Sequence, residues 1–249
     1  MPTYDQIGRG YVVTRQPDPR IARMIHSALG EARTVLNVGA GAGSYEPIDR
    51  QVIAVEPSLE MIRQRRSGTA AVIRAVAERL PFANAVFDGS LAVLTVHHWH
   101  DRKAGFAELR RVTRQRIVIY TWDSGCYDAF WLGAHYLPEV RDLDIPRFPS
   151  MRELTQCLGE IESHPVLIPH DCIDGFLGAY WRRPEAYLDP NVRRAMSGLA
   201  QLPQNIVEAA MARLADDLHS GRWDSQFGEL RSKESIDLGY RLIIARVAA

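Results

Sequence analysis

Apolar and polar positions follow two different periods along this chain. Short runs of apolar, β-branched residues predict buried strands at 34–38, 51–55, 71–75, 87–95 and 116–120. Apolar residues spaced three and four apart predict helices at 19–29, 58–66 and 102–114. Because strands and helices alternate, we predict a parallel, doubly wound α/β sheet that binds its ligand at the carboxyl ends of its strands.

The first connection between strands is unusually short. Only the residues between Gly43 and Gln51, among them Pro47, are available for it. A parallel crossover needs about a dozen residues and usually contains a helix. We therefore predict a first helix of only one or two turns.

The second half of the chain predicts one more strand, a helical insertion and a final strand. Ser150 and Glu153 form a capping box that opens a helix. Strand six is predicted at 165–169 and the last strand at 238–247. The residues between them have a helical pattern, with Asp189 and Pro190 as one helix start. A second helix there has an apolar stripe of Val207, Ala210, Leu214 and Leu218.

We predict that the last strand runs antiparallel, which places the insertion over the ligand crevice. The expected fold is a mostly parallel seven-stranded sheet with a helical insertion between strands six and seven. We treat residues 1–249 as a single domain with an N-terminal helical cap at 1–33, a nucleotide-binding core at 34–172, the insertion at 173–235 and the final strand at 236–249.

Charge and cysteine content narrow the range of partners and cellular locations that this protein can have. Lys and Arg total 30, as do Asp and Glu, and no long basic run occurs. This balance argues against a nucleic-acid partner or an anionic membrane surface. The three cysteines lack Cys-x-x-Cys spacing, and no signal peptide or membrane span is present, so a reducing, cytoplasmic location is expected. A homodimer is compatible with this composition.

The most informative segment is the end of the first predicted strand. Its apolar run is followed by Gly39, Gly41 and Gly43, and the next apolar run ends at Glu56. Glycines let the backbone approach a ligand closely, and a carboxylate on the neighbouring strand can accept both ribose hydroxyls. This pattern predicts a nucleotide site. An NAD(P)-dependent oxidoreductase would have Gly-x-Gly-x-x-Gly, whose third glycine is Ser44 here.

The Gly-x-Gly-x-Gly spacing resembles the first motif of the class I S-adenosylmethionine-dependent methyltransferases. The resemblance is closest to their small-molecule branch, which includes the quinone-biosynthesis methyltransferases. Further segments resemble the family's later motifs in the same order and extend the likeness over residues 34 to 122. These segments are 55–61, 77–82, 87–99 and 108–112.

This resemblance implies a Rossmann-like fold, S-adenosyl-L-methionine as cofactor and methyl transfer to O, N or C of a small-molecule acceptor. Glu56 would bind the ribose, Met61 would lie near the adenine, and Tyr11 with Arg15 would cover the methionine end. The implied cofactor-binding residues are Tyr11, Gly39, Ala40, Gly41, Gly43, Glu56, Pro57, Met61, Ala77, Glu78, Thr95 and Val96.

Two positions depart from the family pattern. Asn37 stands where an acid is common, and Val76 stands where an aspartate usually accepts a hydrogen bond from the adenine amino group. Asn37 keeps an acceptor oxygen but loses the negative charge. These departures keep open an alternative in which the fold binds a ligand without catalysis.

Methyl transfer is an in-line displacement, so the protein mainly supplies proximity and alignment. A protonated nucleophile needs a base in addition, and the candidates near the carboxyl ends of the strands are His97, His98, His100, Asp123 and His170. Of these, the pair His97 and His98 is chosen as the catalytic candidate, although it also recurs in the family as a structural signature. Adjacent histidines at a strand exit rarely converge on one ion, so no metal site is predicted. Aromatic residues expected above the crevice favour an apolar, ring-bearing acceptor: Tyr127, Phe130, Trp131, Tyr136, Tyr180 and Trp181.

Overall fold

The fold is seen in a computed structural model that describes residues 4–7 and 11–247, with the side chains of Gln6 and Ile7 excepted. The strands of these ranges are β1 Thr34–Val38, β2 Gln51–Val55, β3 Ala71–Ile73, β4 Phe87–Val93, β5 Thr113–Trp122, β6 Ile161–Pro165, β7 Ile168–Pro169, β8 Ser235–Ile236 and β9 Tyr240–Arg246. Seven of them form one sheet in the order β3-β2-β1-β4-β5-β9-β6. Only β9 runs antiparallel to its neighbours in that sheet. The predicted mostly parallel sheet with an antiparallel last strand is confirmed.

Helices flank this sheet and fill its long connections. They are α1 Tyr4–Ile7, α2 Tyr11–Thr14, α3 Pro19–Ala28, α4 Leu59–Arg63, α5 Arg102–Val112, α6 Glu139–Asp144, α7 Met151–Leu158, α8 Pro190–Arg194, α9 Ser197–Ala200, α10 Gln204–Ser220 and α11 Arg222–Phe227. Short 3₁₀ or π turns lie at Val96–His98, Ser124–Ala129, Leu132–Tyr136, Leu177–Tyr180, Pro184–Leu188 and Gly228–Ser232. No helix among the described residues is long and apolar enough to cross a membrane.

Side-chain caps define several helix starts. Ser150 Oγ accepts a hydrogen bond from the Glu153 N–H at 3.1 Å, and Asp189 caps α8 in the same manner. Both predicted helix starts are therefore confirmed. The Glu153 side chain does not close the capping box, because it forms an ion pair with Arg102 at 2.8 Å. This pair ties α7 to the start of α5.

The core lies on both faces of the sheet. In β1, Val35 packs into one apolar cluster and Leu36 into the other, because successive strand residues point to opposite faces. Ile25 of α3 belongs to the first cluster and Phe106 of α5 to the second. Burial on both faces explains why the strands have continuous apolar runs rather than alternating ones.

The prediction of a short first helix is wrong. The chain between β1 and β2 forms turns only. The backbone φ is +68° at Gly39, +53° at Gly41, +92° at Gly43 and +62° at Tyr45. Such left-handed conformations cannot repeat into a right-handed helix, and Pro47 follows directly.

Strand six was predicted at 165–169, and this is also wrong. The sheet strand β6 ends at Pro165, and the next apolar residues form β7, which pairs with β8 in a separate two-stranded sheet. The β6 sequence is polar because it is an edge strand, held by backbone pairing with β9 rather than by apolar burial.

The remaining element boundaries differ by a few residues. The α10 stripe is confirmed for Val207, Ala210 and Leu214, which are buried, whereas Leu218 is half-buried. The predicted cap at 1–33 and final segment at 236–249 each include residues outside the described ranges.

Candidate active site

A cavity of about 660 Å³ lies at the carboxyl ends of β1, β2 and β4. Parallel strands bring their carboxyl ends to one edge of the sheet, so segments distant in sequence meet there. Most of the predicted cofactor residues line this cavity, together with both candidate histidines. They are Tyr11, Gly39, Ala40, Gly41, Glu56, Pro57, Met61, Ala77, Glu78, Thr95, His97 and His98.

Two predicted residues do not reach the cavity wall. A Cβ on Gly43 would lie 2.7 Å from Thr69 Cγ2, so this glycine is needed for packing within the turn. Val96 is fully buried in the apolar cluster below the site. Neither residue lines the cavity, and their role as cofactor-binding residues stays a prediction.

The glycine turn presents bare backbone to the cavity. A side chain on Gly39 would overlap with Thr95, and a Cβ on Gly41 would lie 3.3 Å from Met61 Cε. The positive φ at both positions adds a steric cost for any other residue. A ligand can therefore lie directly against the main chain at Gly41, whereas the space beside Gly39 is filled by Thr95.

Glu56 is 5% exposed and joins the turn to the second strand. Its Oε2 accepts a hydrogen bond from the Gly41 N–H at 2.8 Å, and its Oε1 accepts one from the Ser58 N–H at 2.9 Å. Burial raises the pKa of Glu56, although these two hydrogen bonds oppose the shift. A carboxylate has about four acceptor positions, so two are left for hydroxyl groups of a ligand.

Asn37 is 1% exposed and lines the same cavity. Its Nδ2 donates to Glu46 Oε1 at 3.2 Å, whereas its Oδ1 is buried and has no partner among the described residues. Glu46 in turn accepts from Arg65 at 2.7 Å and from the Ala70 N–H at 2.9 Å. Glu46 thus holds the amide so that an acceptor oxygen is left for the amino group of a ligand.

The loop after β3 and the turn after β4 are tied together beside this cavity. Glu78 Oε1 accepts hydrogen bonds from the backbone N–H groups of His100 at 2.7 Å and Asp101 at 3.1 Å. Ala77 is buried next to it, and Val76 lies at the cavity edge with 46% exposure. The bonds of Glu78 therefore fix the position of the Ala77 backbone against the cavity.

His97 and His98 form the turn that follows β4. The His97 ring stacks on Phe148 at a centroid distance of 4.0 Å, and the His98 ring meets Tyr4 edge-on at 5.0 Å. His97 Nδ1 and His98 Nε2 are buried without a partner in the described part of the chain. Burial lowers the pKa of His98 to about 4 and that of His97 well below its usual range, with Arg147 and Arg15 adding to the shift. Both imidazoles are therefore neutral near pH 7.

A second, smaller chamber of about 80 Å³ adjoins the cavity and shares Tyr4, Arg15, Leu94 and His97 with it. We call it the ring-lined chamber. Leu94 has a φ of +46°, an unusual conformation for a leucine, and lies between the two spaces. The rings of the chamber are Trp122, Tyr127, Phe130, Phe148, Phe176 and Tyr240.

Only some of the aromatic residues singled out from the sequence reach this chamber. Tyr127 and Phe130 do, whereas Trp131 and Trp181 pack in the interior, with Trp131 Nε1 donating to the Trp181 carbonyl at 2.8 Å. Tyr136 donates to Asp217 at 2.8 Å, and Tyr180 likewise lies outside the lining. Two of the six aromatic residues singled out from the sequence therefore line the chamber, and the ring-bearing acceptor stays a prediction.

The segment that precedes α3 closes the site on one side. Arg15 Nε donates to Asp174 Oδ1 at 2.6 Å, and the Tyr45 hydroxyl donates to Asp174 Oδ2 at 2.8 Å. The Arg15 guanidinium also lies 4.9 Å from the centre of the Tyr11 ring. Buried Asp174 therefore links the N-terminal segment, the glycine turn and the start of the predicted insertion.

Sequence reasoning missed Glu46, Asp174 and Asp144, the last of which lines the ring-lined chamber. These acids lie in irregular turns or at a helix end, where no apolar period or known motif distinguishes them from surface acids. Their burial arises only from tertiary packing.

Comparisons with known proteins agree with this geometry. Residues 36–120 match the family model described as a methyltransferase domain. A solved protein of Anabaena variabilis, assigned as a methyltransferase of an antibiotic biosynthesis pathway, is 33% identical, with a TM-score of 0.85 over 93% of this chain and 98% of that one. Phosphoethanolamine N-methyltransferase 2 of Haemonchus contortus, solved with S-adenosyl-L-methionine, shares the fold alone, at 14% identity and a TM-score of 0.53 over 93% of this chain and 53% of that one.

Among curated relatives, the malonyl-[acyl-carrier protein] O-methyltransferase of Pseudescherichia vulneris is 32% identical over 119 residues, 45% of this chain and 47% of the relative. An uncharacterized protein of Methanocaldococcus jannaschii is 26% identical over 133 residues, which are 52% of this chain and 53% of that protein. This chain therefore spans about half the length of the curated relatives it matches. The assignment to a family rests on the similarity to the Anabaena protein over nearly the whole length of both chains. The chain belongs to the S-adenosylmethionine-dependent methyltransferases of class I.

Proposed function

We propose that this protein transfers the methyl group of S-adenosyl-L-methionine to an O, N or C atom of a small-molecule acceptor. One observation carries the proposal. The cavity bounded by the glycine turn, Asn37 and Glu56 adjoins the ring-lined chamber, and His97 and Leu94 belong to the walls of both spaces. A cofactor and an acceptor can therefore lie side by side.

The residues of the larger cavity fit this cofactor. Gly41 leaves room against the backbone, and Glu56 has acceptor positions for the ribose hydroxyls. Asn37 Oδ1, which has no partner among the described residues, is an acceptor for the amino group of the cofactor. When bound, the cofactor supplies an electrophilic methyl group on a sulfonium. The protein's contribution is to hold both reactants in line and to exclude water.

We assign to His97 the role of proton acceptor when the nucleophile is protonated, because it lines both spaces. Burial keeps its imidazole neutral, so a lone pair is present near pH 7. The same burial makes it a weak base, which suits an acceptor whose proton is already acidic. His98 lines only the cofactor cavity and supports the ring of Tyr4.

The insertion at 173–235 contributes a wall to the acceptor side in this proposal. Phe176, Met196 and Gly198 line the ring-lined chamber. The single-domain organisation and the cytoplasmic location stay predictions. The Anabaena relative's assignment to an antibiotic pathway supports a small-molecule acceptor.

Cofactor binding is tested by calorimetric titration with S-adenosylhomocysteine and with NADH. We expect S-adenosylhomocysteine alone to bind. Glu56→Ala should weaken it by about 1.5–3 kcal/mol, because charge-assisted hydrogen bonds to the ribose are lost. Glu31→Ala, which removes an exposed carboxylate away from the cavity, is the matched control. Binding of NADH alone would reject the proposed function, and an unchanged affinity in Glu56→Ala would remove this residue from the site.

The acceptor is sought with a labelled methyl donor. Incubation of the protein with methyl-labelled cofactor and a metabolite extract should transfer label to a small molecule. The His97→Asn variant serves as a comparison for the transfer step. Label that appears only in protein or nucleic acid would contradict a small-molecule acceptor.

A further inference from the structure

Among the residues that the structure describes, the ring-lined chamber has one acidic side chain. Asp144 is the last residue of α6, is 9% exposed and lies in the chamber wall. Its carboxylate has no hydrogen bond or ion pair with any described residue. An unpaired buried carboxylate is costly, so its presence in an apolar chamber requires an explanation.

The local packing keeps this carboxylate accessible from the chamber. A Cβ on Gly198, in α9, would lie 3.3 Å from Asp144 Oδ2. The glycine therefore lets the carboxylate lie close to the α9 backbone while remaining at the chamber wall. Burial raises the pKa of Asp144 to about 6, and the positive charge of Arg147 opposes this shift.

No cation among the described residues pairs with Asp144. Arg147 donates to Gln201 at 2.9 Å and lies in the lining of the larger cavity. Arg15, the one cationic side chain in the described part of the chamber lining, is already paired with Asp174 at 2.6 Å. His97 is neutral because burial lowers its pKa. The chamber thus has a carboxylate with no direct ion pair among the described residues, on which Arg147 acts only at longer range.

The rings around this charge favour a cation as well. Trp122 and Phe148 meet edge-on at 5.2 Å, and Phe176 and Tyr240 lie 4.7 Å apart. Aromatic faces attract organic cations, and more strongly where water is excluded. A carboxylate group on the ligand would instead be repelled by Asp144.

We infer that the methyl acceptor is an apolar or ring-bearing compound with a protonated amine, and that Asp144 binds this ammonium group inside the ring-lined chamber. The inference rests on the proposed methyl-transfer function and specifies its acceptor class. Asp144 acts here as a specificity residue that fixes the orientation of the acceptor. The chamber is small, so the rest of the acceptor extends past Leu94 and His97 towards the cofactor cavity.

The test uses three ligands of similar shape and different charge: phenethylamine, 2-phenylethanol and phenylacetate. Each is titrated calorimetrically into the full-length protein saturated with S-adenosylhomocysteine. We expect phenethylamine to bind at least tenfold more tightly than 2-phenylethanol, and phenylacetate to bind most weakly. Asp144→Asn, which keeps the shape but removes the charge, should abolish the preference for the amine.

The matched control is Asp142→Asn, because Asp142 is an exposed acid on the same helix. It should leave the preference unchanged. Retained binding of S-adenosylhomocysteine shows that Asp144→Asn is folded. Equal binding of amine and alcohol, binding of none of the three probes, or an amine preference that survives in Asp144→Asn overturns the inference. Loss of S-adenosylhomocysteine binding by the unaltered protein would instead contradict the proposed function.

Discussion

The cofactor cavity and the ring-lined chamber are assembled from different kinds of structure. The cavity wall comes mainly from short segments that follow β1, β2 and β4, and much of it is backbone and polar groups. The chamber wall comes from residues spread along the chain between Tyr4 and Tyr240, most of them aromatic or aliphatic. The first space is therefore shaped by main-chain geometry and the second by the identity of side chains.

This difference indicates which changes each space can tolerate. The cofactor side depends on positive-φ glycines and on buried charges that hold the turns in place, such as Glu46 with Arg65. Substitutions there should cost stability or cofactor affinity. The chamber has an aromatic wall and one acidic side chain without an ion pair among the described residues, so substitutions there should change the choice of acceptor and leave the cofactor bound.

The largest effect is expected from Glu46→Ala. Glu46 and Arg65 form an ion pair with side chains only 6% and 5% exposed. Removing the carboxylate leaves a buried guanidinium without its partner, which should lower the free energy of unfolding by about 3–5 kcal/mol. Urea denaturation measures this change.

The control for Glu46→Ala is Glu229→Ala. Glu229 forms an ion pair with Lys233, and both side chains are largely exposed. Glu229→Ala should therefore lower the free energy of unfolding by no more than about 0.5 kcal/mol. If both variants were equally stable, buried charge would not be what supports the cofactor side.

Gly41→Val should remove cofactor binding. The φ of +53° makes valine strained, and its side chain would crowd Met61 and enter the cavity. We expect S-adenosylhomocysteine to bind at least ~100-fold more weakly, a loss of about 3 kcal/mol. Gly68→Val is the matched control, because Gly68 has a φ of +90° and a Cβ there would meet no atom of the described residues within 4 Å.

Both glycine variants should lower Tm, since both introduce strain. Only Gly41→Val should lose the ligand in calorimetry. Full affinity in Gly41→Val would show that the turn is structural and that the ligand lies elsewhere.

The smallest effect concerns His98, which lines the cofactor cavity and not the ring-lined chamber. Its pKa is lowered to about 4 in the folded protein, against about 6.5 for a free side chain, so the unfolded state binds more protons between these values. Stability should therefore fall as the pH decreases, by about 2 kcal/mol from this group between pH 7 and pH 5.

His98→Asn should show a shallower decrease in urea denaturation over this range. Asp144 contributes with the opposite sign, because its pKa is raised to about 6, but it is present in both proteins and cancels in the comparison. Identical pH slopes for the two proteins would mean that His98 is not buried as a neutral ring.

The strands on either side of the glycine motif, each marked by an apolar run in the sequence, were predicted correctly. The strands β1 and β2 match their predicted ranges, and Gly41 and Glu56 lie together as their positions at two strand ends implied. Gly43 and Val96 were predicted as cofactor-binding residues but do not line the cavity, and motif position alone does not distinguish a lining residue from a supporting one. Strand β6 was misplaced because an edge strand is held by backbone pairing with β9, which leaves no apolar run to recognise.

The amino-acid sequence by itself determined the doubly wound sheet and the glycine turn, since these depend on residues close together in the chain and on periods that repeat. The cofactor class followed from the resemblance of its ordered motifs to a known family. Only the tertiary structure decided that Asn37 has an acceptor oxygen without a partner among the described residues, that Glu46 is neutralised by Arg65, and that Asp144 lies among rings. The physical reason is that burial and charge pairing are properties of the neighbours a residue acquires on folding. A surface acid and a buried acid have the same letter in the sequence and differ only in what surrounds them.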